Sequence, residues 1–313
     1  MVARDGGAAP SSRGSVMLPR FSVIEFTTPR LSFAEDLEVY ARAGADAVGI
    51  AERKLGDDRK DLEHFRASDL LASSVFPAIG SILPRPGQGE TDPAQRVELL
   101  EQSIHRLAPF GAPYCSVVPG PYGRWGEAEA VDLVVAACRK LAAVATDEGM
   151  KLVLELMHPS LFDEFSFMTT IPAATRLLDA IGSSQVGLAL DTWHLDEADA
   201  DLLVQVRDCA SRVASVHVND RRVPTRSWCD RVLPGDGSID LVGILSSLED
   251  GGFDDWFELE VVSDDGSVAE DFPDSLWRSD PFEFVSAGRT QFLSLWERRR
   301  SSAGDRSAPD DRR

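Results

Sequence analysis

The sequence predicts a single (β/α)8 TIM barrel, and two observations carry the prediction. Eight short apolar runs alternate with amphipathic stretches along most of the chain, each run too uniformly apolar to leave a solvent-facing side. Strands of that kind belong to parallel sheets covered by helices. The last four runs also end on acidic or imidazole side chains, at the place where a barrel gathers its chemistry, the C-terminal mouth. A doubly wound open sheet is the rival arrangement, but no Gly-x-Gly-x-x-Gly follows the first run to mark a dinucleotide site.

The elements follow in order. A strand over 21–26 comes first, and Ser32 with Glu35 forms a capping box for a helix over 32–43 that stops at Gly44. Next come a strand over 47–51, a helix over 66–72 and a strand over 75–82. Pro93 in the first turn and Gly111 past the end bracket a helix over 93–110. A strand over 114–118 precedes a long helix over 128–148, closed by Gly149. Strands over 152–156, 186–190 and 213–218 lead to helices over 172–181, 200–211 and, after a long polar loop, 241–248. The last pair is a strand over 256–261 and a helix over 281–296. On that helix Phe282, Phe284, Phe292, Leu293 and Trp296 are expected to seal the last strand against the first, with a subunit interface as the alternative use.

Composition narrows the function. With 313 residues and 43% hydrophobic side chains, the chain can build a sizeable core without disulfides. A formal charge of −20 opposes nucleic acid and anionic membrane surfaces, and no apolar run approaches the ~18 residues of a spanning helix. Cys115, Cys138, Cys209 and Cys229 are scattered and form no Cys-x-x-Cys pair, as expected of a reduced, cytoplasmic protein. Residues 1–19 are rich in Gly, Ala, Ser and Arg and lack the apolar centre of a signal peptide. They and residues 299–313 read as disordered tails flanking one catalytic domain over 20–298, with Met17 as an alternative start.

Four runs define the candidate site. Leu152-Val153-Leu154 ends at Glu155, Val186-Gly187-Leu188-Ala189-Leu190 at Asp191, Val213-Ala214-Ser215-Val216 at His217, and Trp256-Phe257-Glu258-Leu259 at Glu260. Ionised groups at the ends of buried strands are costly unless paired or holding a metal. On four consecutive staves of a barrel they reach a common point, so Glu155, Asp191, His217 and Glu260 form a ligand set for one divalent cation. Carboxylates with one imidazole suit Mn2+ first, with Mg2+, Co2+ and Zn2+ also compatible. His158, three residues past Glu155, is a candidate second acid–base group.

The spans 152–159 (LVLELMHP), 187–194 (GLALDTWH), 216–220 (VHVND) and 252–260 (GFDDWFELE) resemble the sugar phosphate isomerase/epimerase superfamily of xylose isomerase-like barrels, and 234–240 (PGDGSID) is similar to its loop after the seventh strand. The likeness extends over roughly 21–296. It implies a divalent-metal-dependent ketose epimerase or isomerase that abstracts a proton next to a carbonyl, through an enediolate, with Glu155 and Glu260 shuttling the proton on opposite substrate faces. It also implies substrate contacts at His194, Arg222 and Asp220. The alternative outcome within the superfamily is a lyase, either a dehydratase or a C-glycoside deglycosidase cleaving a 3-keto glycoside by β-elimination. His158 would then protonate the leaving group.

Four arginines in 220–231 promise a positive field for a polyhydroxy or anionic substrate. Glu25 and Glu52 face the same mouth at the ends of the first two strands, and Trp125, Trp193 and Trp228 are candidates for its walls. The expected partner is a small sugar-like molecule, with no nucleic acid and no membrane. Homo-oligomers are common in the group, and a small accessory subunit belongs to the C-glycoside lyase alternative. Two remoter readings are an endonuclease-IV-like hydrolase, which needs more histidines than the five here, and a metal-free binding protein on the same barrel.

Overall fold

Side-chain alternation along the last strand shows how the wall is built. Phe257 and Leu259 join the large core beneath the helices, while Trp256 belongs to a separate small cluster with Ala47, Tyr114, Val153, Ala189 and Ala214. Successive strand residues point to opposite faces, so Trp256, Glu258 and Glu260 share the inward one. The computed structural model describes residues 18–89 and 91–305 of the chain; most of the expected N-terminal tail, and residues 306–313 of the C-terminal one, lie outside them.

Eight parallel strands form the closed ring: β1 (Arg20–Ile24), β2 (Ala47–Ala51), β3 (Leu71–Phe76), β4 (Tyr114–Val117), β5 (Lys151–Glu155), β6 (Val186–Asp191), β7 (Val213–Val218) and β8 (Trp256–Leu259), with β8 pairing back to β1. The helices are α1 (Phe33–Ala43), α2 (Asp58–Ala67), α3 (Pro93–Leu107), α4 (Glu127–Asp147), α5 (Ile171–Ile181), α6 (Leu202–Cys209), α7 (Leu241–Asp250) and α8 (Pro281–Asp305). The predicted single barrel is therefore the fold.

Local sequence explains the ends. Ser32 and Glu35 form the expected reciprocal box ahead of α1, and Gly44 leaves it in the left-handed conformation at φ 79°. On α8, Phe292 stacks on Phe21 of β1 with ring centroids 5.5 Å apart and lies 5.3 Å from Phe257 of β8. The helix thus seals the first strand against the last. It also runs to Asp305, past the boundary expected near 298.

One pair of elements is misplaced in the sequence reading. The helix expected over 66–72 is α2, Asp58–Ala67, and the strand expected over 75–82 is β3, Leu71–Phe76. Phe65 is the single buried residue of α2, so its apolar period is almost invisible, whereas Asp57 caps it through the Lys60 amide. Ser73 and Ser74 break the apolar run of β3 because they bond a buried carboxylate inside the ring.

Candidate metal centre

Parallel register brings the strand-end groups together. Asp191 on β6 pairs in register with His217 on β7, and His217 with Glu258 on β8. Glu155 and Glu260 sit at the ends of β5 and β8. One ligand atom from each of Glu155, Asp191, His217 and Glu260 lies within 4.8 Å of every other. His217 Nδ1 stands 3.2 Å from Glu155 Oε1 and 3.4 Å from Glu260 Oε2. All four predicted ligands thus meet in one cluster, three of them buried and Glu155 partly open to the cavity.

The structure adds a cation that the sequence reading did not single out. Arg231, buried, places Nη1 2.6 Å from Asp191 Oδ2 and 2.9 Å from Glu260 Oε2. It reaches the mouth through a short hairpin pairing Asp220–Arg221 with Arg231–Val232. Burial opposes the Asp191 carboxylate, but Arg231, His194 and His217 hold it well below the usual range. Burial pushes Glu260 up to about 7, against the pull of Arg231 and His217. Burial also opposes a charged His217, yet Glu155 and Glu260 raise it well above an ordinary imidazole.

These groups fit a divalent ion. Three carboxylates face one guanidinium in a buried mouth, leaving negative charge that a dication offsets. The imidazole is also oriented for the task. Behind it, His217 Nε2 stands 3.6 Å from Glu258 Oε2, and Glu258 accepts from Ser73 Oγ at 2.6 Å and Ser74 Oγ at 2.9 Å. At 3.6 Å the Glu258 carboxylate is too far from the ring for a hydrogen bond, so it acts as a nearby charge that favours a proton on Nε2 and leaves Nδ1 to a ligand. Gly49 makes room for it, since a Cβ there would stand 3.2 Å from Glu258 Oε1 and 2.9 Å from Ile24 Cγ1. Glu258→Gln is expected to weaken Mn2+ binding about 10- to 100-fold while the protein stays folded. Mn2+ titration checks this, and unchanged affinity would remove Glu258 from the site. The signal was present in the Glu-Leu-Glu spacing, because residues two apart on a strand share a face.

The other predicted residues separate. His194 lines the cavity, where burial lowers its imidazole to about 4. Its Nε2 accepts from Arg231 Nη2 at 3.3 Å, which leaves the proton on Nδ1, an atom with no hydrogen-bond partner among the described residues. Asp220 is not placed for substrate: its carboxylate collects the backbone N–H groups of Arg221, Gly235, Gly237 and Ile239 and so holds the 234–240 turn. Arg222 is likewise engaged elsewhere, with Asp230 at 3.0 Å and Asp274 at 3.3 Å. Arg221 and Arg226 also pair with acids, so of the four loop arginines Arg231 alone enters the cluster.

His158 stands outside the cavity wall. Its Nδ1 accepts from the Ser160 amide at 3.1 Å and lies 2.8 Å from Ser160 Oγ, and its ring packs 5.3 Å from Trp193. Glu25 accepts from the Ala51 amide at 2.7 Å, and Glu52 accepts from the Ala78 amide and pairs with Arg106, so neither reaches the cavity. Of the three tryptophans, Trp228 is a wall residue; an unexpected one, Trp277, joins it. The cavity measures about 300 Å3.

Fold and cluster together define a (β/α)8 barrel with a carboxylate–imidazole site in its mouth. The chain belongs to the xylose isomerase-like TIM barrel family, whose model matches residues 37–280. It is 25% identical over 57% of its length to an L-ribulose 3-epimerase of Mesorhizobium japonicum, and that match spans 60% of the relative's length. It is 27% identical over 75% of its length to an inosose isomerase of Halalkalibacterium halodurans, spanning 84% of that protein. Among solved structures, the IolI protein with a bound zinc atom superposes with a TM-score of 0.73 at 19% identity, over 89% of this chain and 98% of that one, a likeness of fold. Among the described residues no helix is long and apolar enough to cross a membrane.

Proposed function

We propose that the protein is a divalent-metal-dependent epimerase or isomerase of a small sugar-like ketone. One observation carries the reading: Glu155 and Glu260, from strands on either side of β6 and β7, line the same cavity while both approach His217 Nδ1. A divalent ion held by Glu155, Asp191, His217 and Glu260, Mn2+ first, supplies Lewis acidity toward a carbonyl and its neighbouring hydroxyl.

The chain's own groups do the rest. One glutamate takes the proton from the carbon beside the carbonyl, and the other returns a proton from the opposite face. Return to the same carbon gives the epimer, and return to the former carbonyl carbon gives the isomer. Arg231 offsets negative charge as it develops on the substrate oxygens, and the Nδ1–H of His194 is a donor for one of them. The lyase alternative requires an acid for the leaving group. His158, its candidate, has its Nδ1 engaged by Ser160 and stands off the cavity wall, which favours the two-glutamate reaction.

Incubation of the Mn2+-loaded protein with a panel of ketoses in heavy water tests this. Deuterium should appear at the carbon beside the carbonyl, together with epimer or aldose, and His158→Ala should retain the exchange. Elimination products that vanish in His158→Ala would instead establish the lyase.

A further inference from the structure

Across the mouth from the metal cluster, the cavity is walled by two guanidinium groups without acidic partners. Arg53 follows β2 and Arg85 follows β3; both line the cavity. Arg53 donates through Nε and Nη2 to the Ala78 carbonyl at 3.0 and 2.8 Å, and its Nη1 has no partner among the described residues. Arg85 donates through Nε to the Glu164 carbonyl at 3.4 Å, and its Cζ lies 3.5 Å over the Phe165 ring. Neither of its Nη atoms meets an acceptor, and neither arginine forms an ion pair, among the described residues.

They stand in a chain of net charge −20, in which 52 acidic side chains outnumber 32 basic ones. Arg106 at the end of α3 and Arg221, Arg222 and Arg226 in the loop after β7 are each paired with a carboxylate. Burial brings the Arg85 guanidinium down to about 10; the charges of Glu164 and Glu155 oppose the shift and Arg53 adds to it. An anion between the two would relieve both the desolvation and the mutual repulsion. Between these arginines and the metal cluster the wall is largely apolar, with Phe26, Phe76, Ile79, Phe165 and Trp228. Such surfaces pack against the face of a compact ring and offer little to a chain of free hydroxyls.

We infer that the substrate carries an oxyanion, a carboxylate or a phosphate, which Arg53 and Arg85 clamp while its carbonyl end faces the metal cluster. This rests on the proposed metal-dependent site and names its substrate class: a compact anionic keto sugar or ring ketone in place of a neutral ketose. Planar guanidinium groups match the geometry of either anion.

The test is binding, measured by calorimetry on Mn2+-loaded protein with D-fructose, D-fructuronate and D-fructose 6-phosphate. At least one anionic ligand should bind about 10-fold or more tighter than D-fructose, and added salt should erode the preference. Which anion is preferred separates carboxylate from phosphate. Arg53→Met and Arg85→Met should each bring the anion-to-neutral affinity ratio close to one, with Mn2+ stoichiometry as the control for an intact barrel. The proposal is overturned if D-fructose binds as tightly as both anions, or if the preference survives in the double variant. An arginine-dependent preference in protein that holds no Mn2+ would uphold the clamp and overturn the metal-dependent function.

Discussion

Glu260→Ala is expected to abolish turnover, by about a thousandfold or more, and to reduce retained Mn2+ far below one ion per chain. Glu260 is assigned two roles at once, ligand and proton carrier, so its removal strips both. The substitution is also readable, because the fold should survive it. Arg231 keeps its 2.6 Å pair with Asp191, and one of three clustered carboxylates is relieved. Asp191→Ala would be less informative. It would leave the Trp193 amide without its acceptor and take a carboxylate from both the Arg231 guanidinium and the Asn219 side chain. Metal analysis beside a turnover or exchange assay decides the matter; a Glu260→Ala protein that still turns over would refute the assignment.

The second large effect is a metal-dependent stability that grows with pH. Burial lifts Glu260 from the ordinary 4.5 to about 7, so between those values the metal-free native state binds more protons than the unfolded chain. Stability of the metal-free protein therefore falls as pH rises through that window. His217, raised by Glu155 and Glu260 against burial, carries the same sign above about 6.5. Burial raises Glu258 as well, in the same direction. Metal binding runs the other way, since the carboxylates and the imidazole must lose their protons to ligate. At 100 times its dissociation constant, Mn2+ should add about 2.7 kcal/mol, roughly 4 °C in Tm. Melting curves with Mn2+ and with EDTA should diverge from pH 5 to pH 8, and a constant gap would contradict the linkage.

Much of this molecule is legible in the sequence, for identifiable reasons. Parallel strands buried on both faces must be apolar, so seven of the eight announce themselves. The exception, β3, spends Ser73 and Ser74 on Glu258 and so loses its apolar signature to the site it supports. The four strand-end groups are legible because alternation and parallel register place them without further information. Arg231 is not, because its position depends on a hairpin closed far from the strand that precedes it. Asp220 and Arg222 show the converse. The family resemblance implied substrate contacts for both, but the backbone of the 234–240 turn engages Asp220, and the acids Asp230 and Asp274 engage Arg222.

The central claim is that Glu155, Asp191, His217 and Glu260 hold one divalent ion. Its most direct test is equilibrium titration of the metal-depleted protein with Mn2+, followed by electron paramagnetic resonance of the free ion. One tight site per chain, lost in both His217→Ala and Glu260→Ala, is the expected result. A folded wild-type protein that takes up no Mn2+, Mg2+, Co2+ or Zn2+, or binding that survives both substitutions, would contradict it.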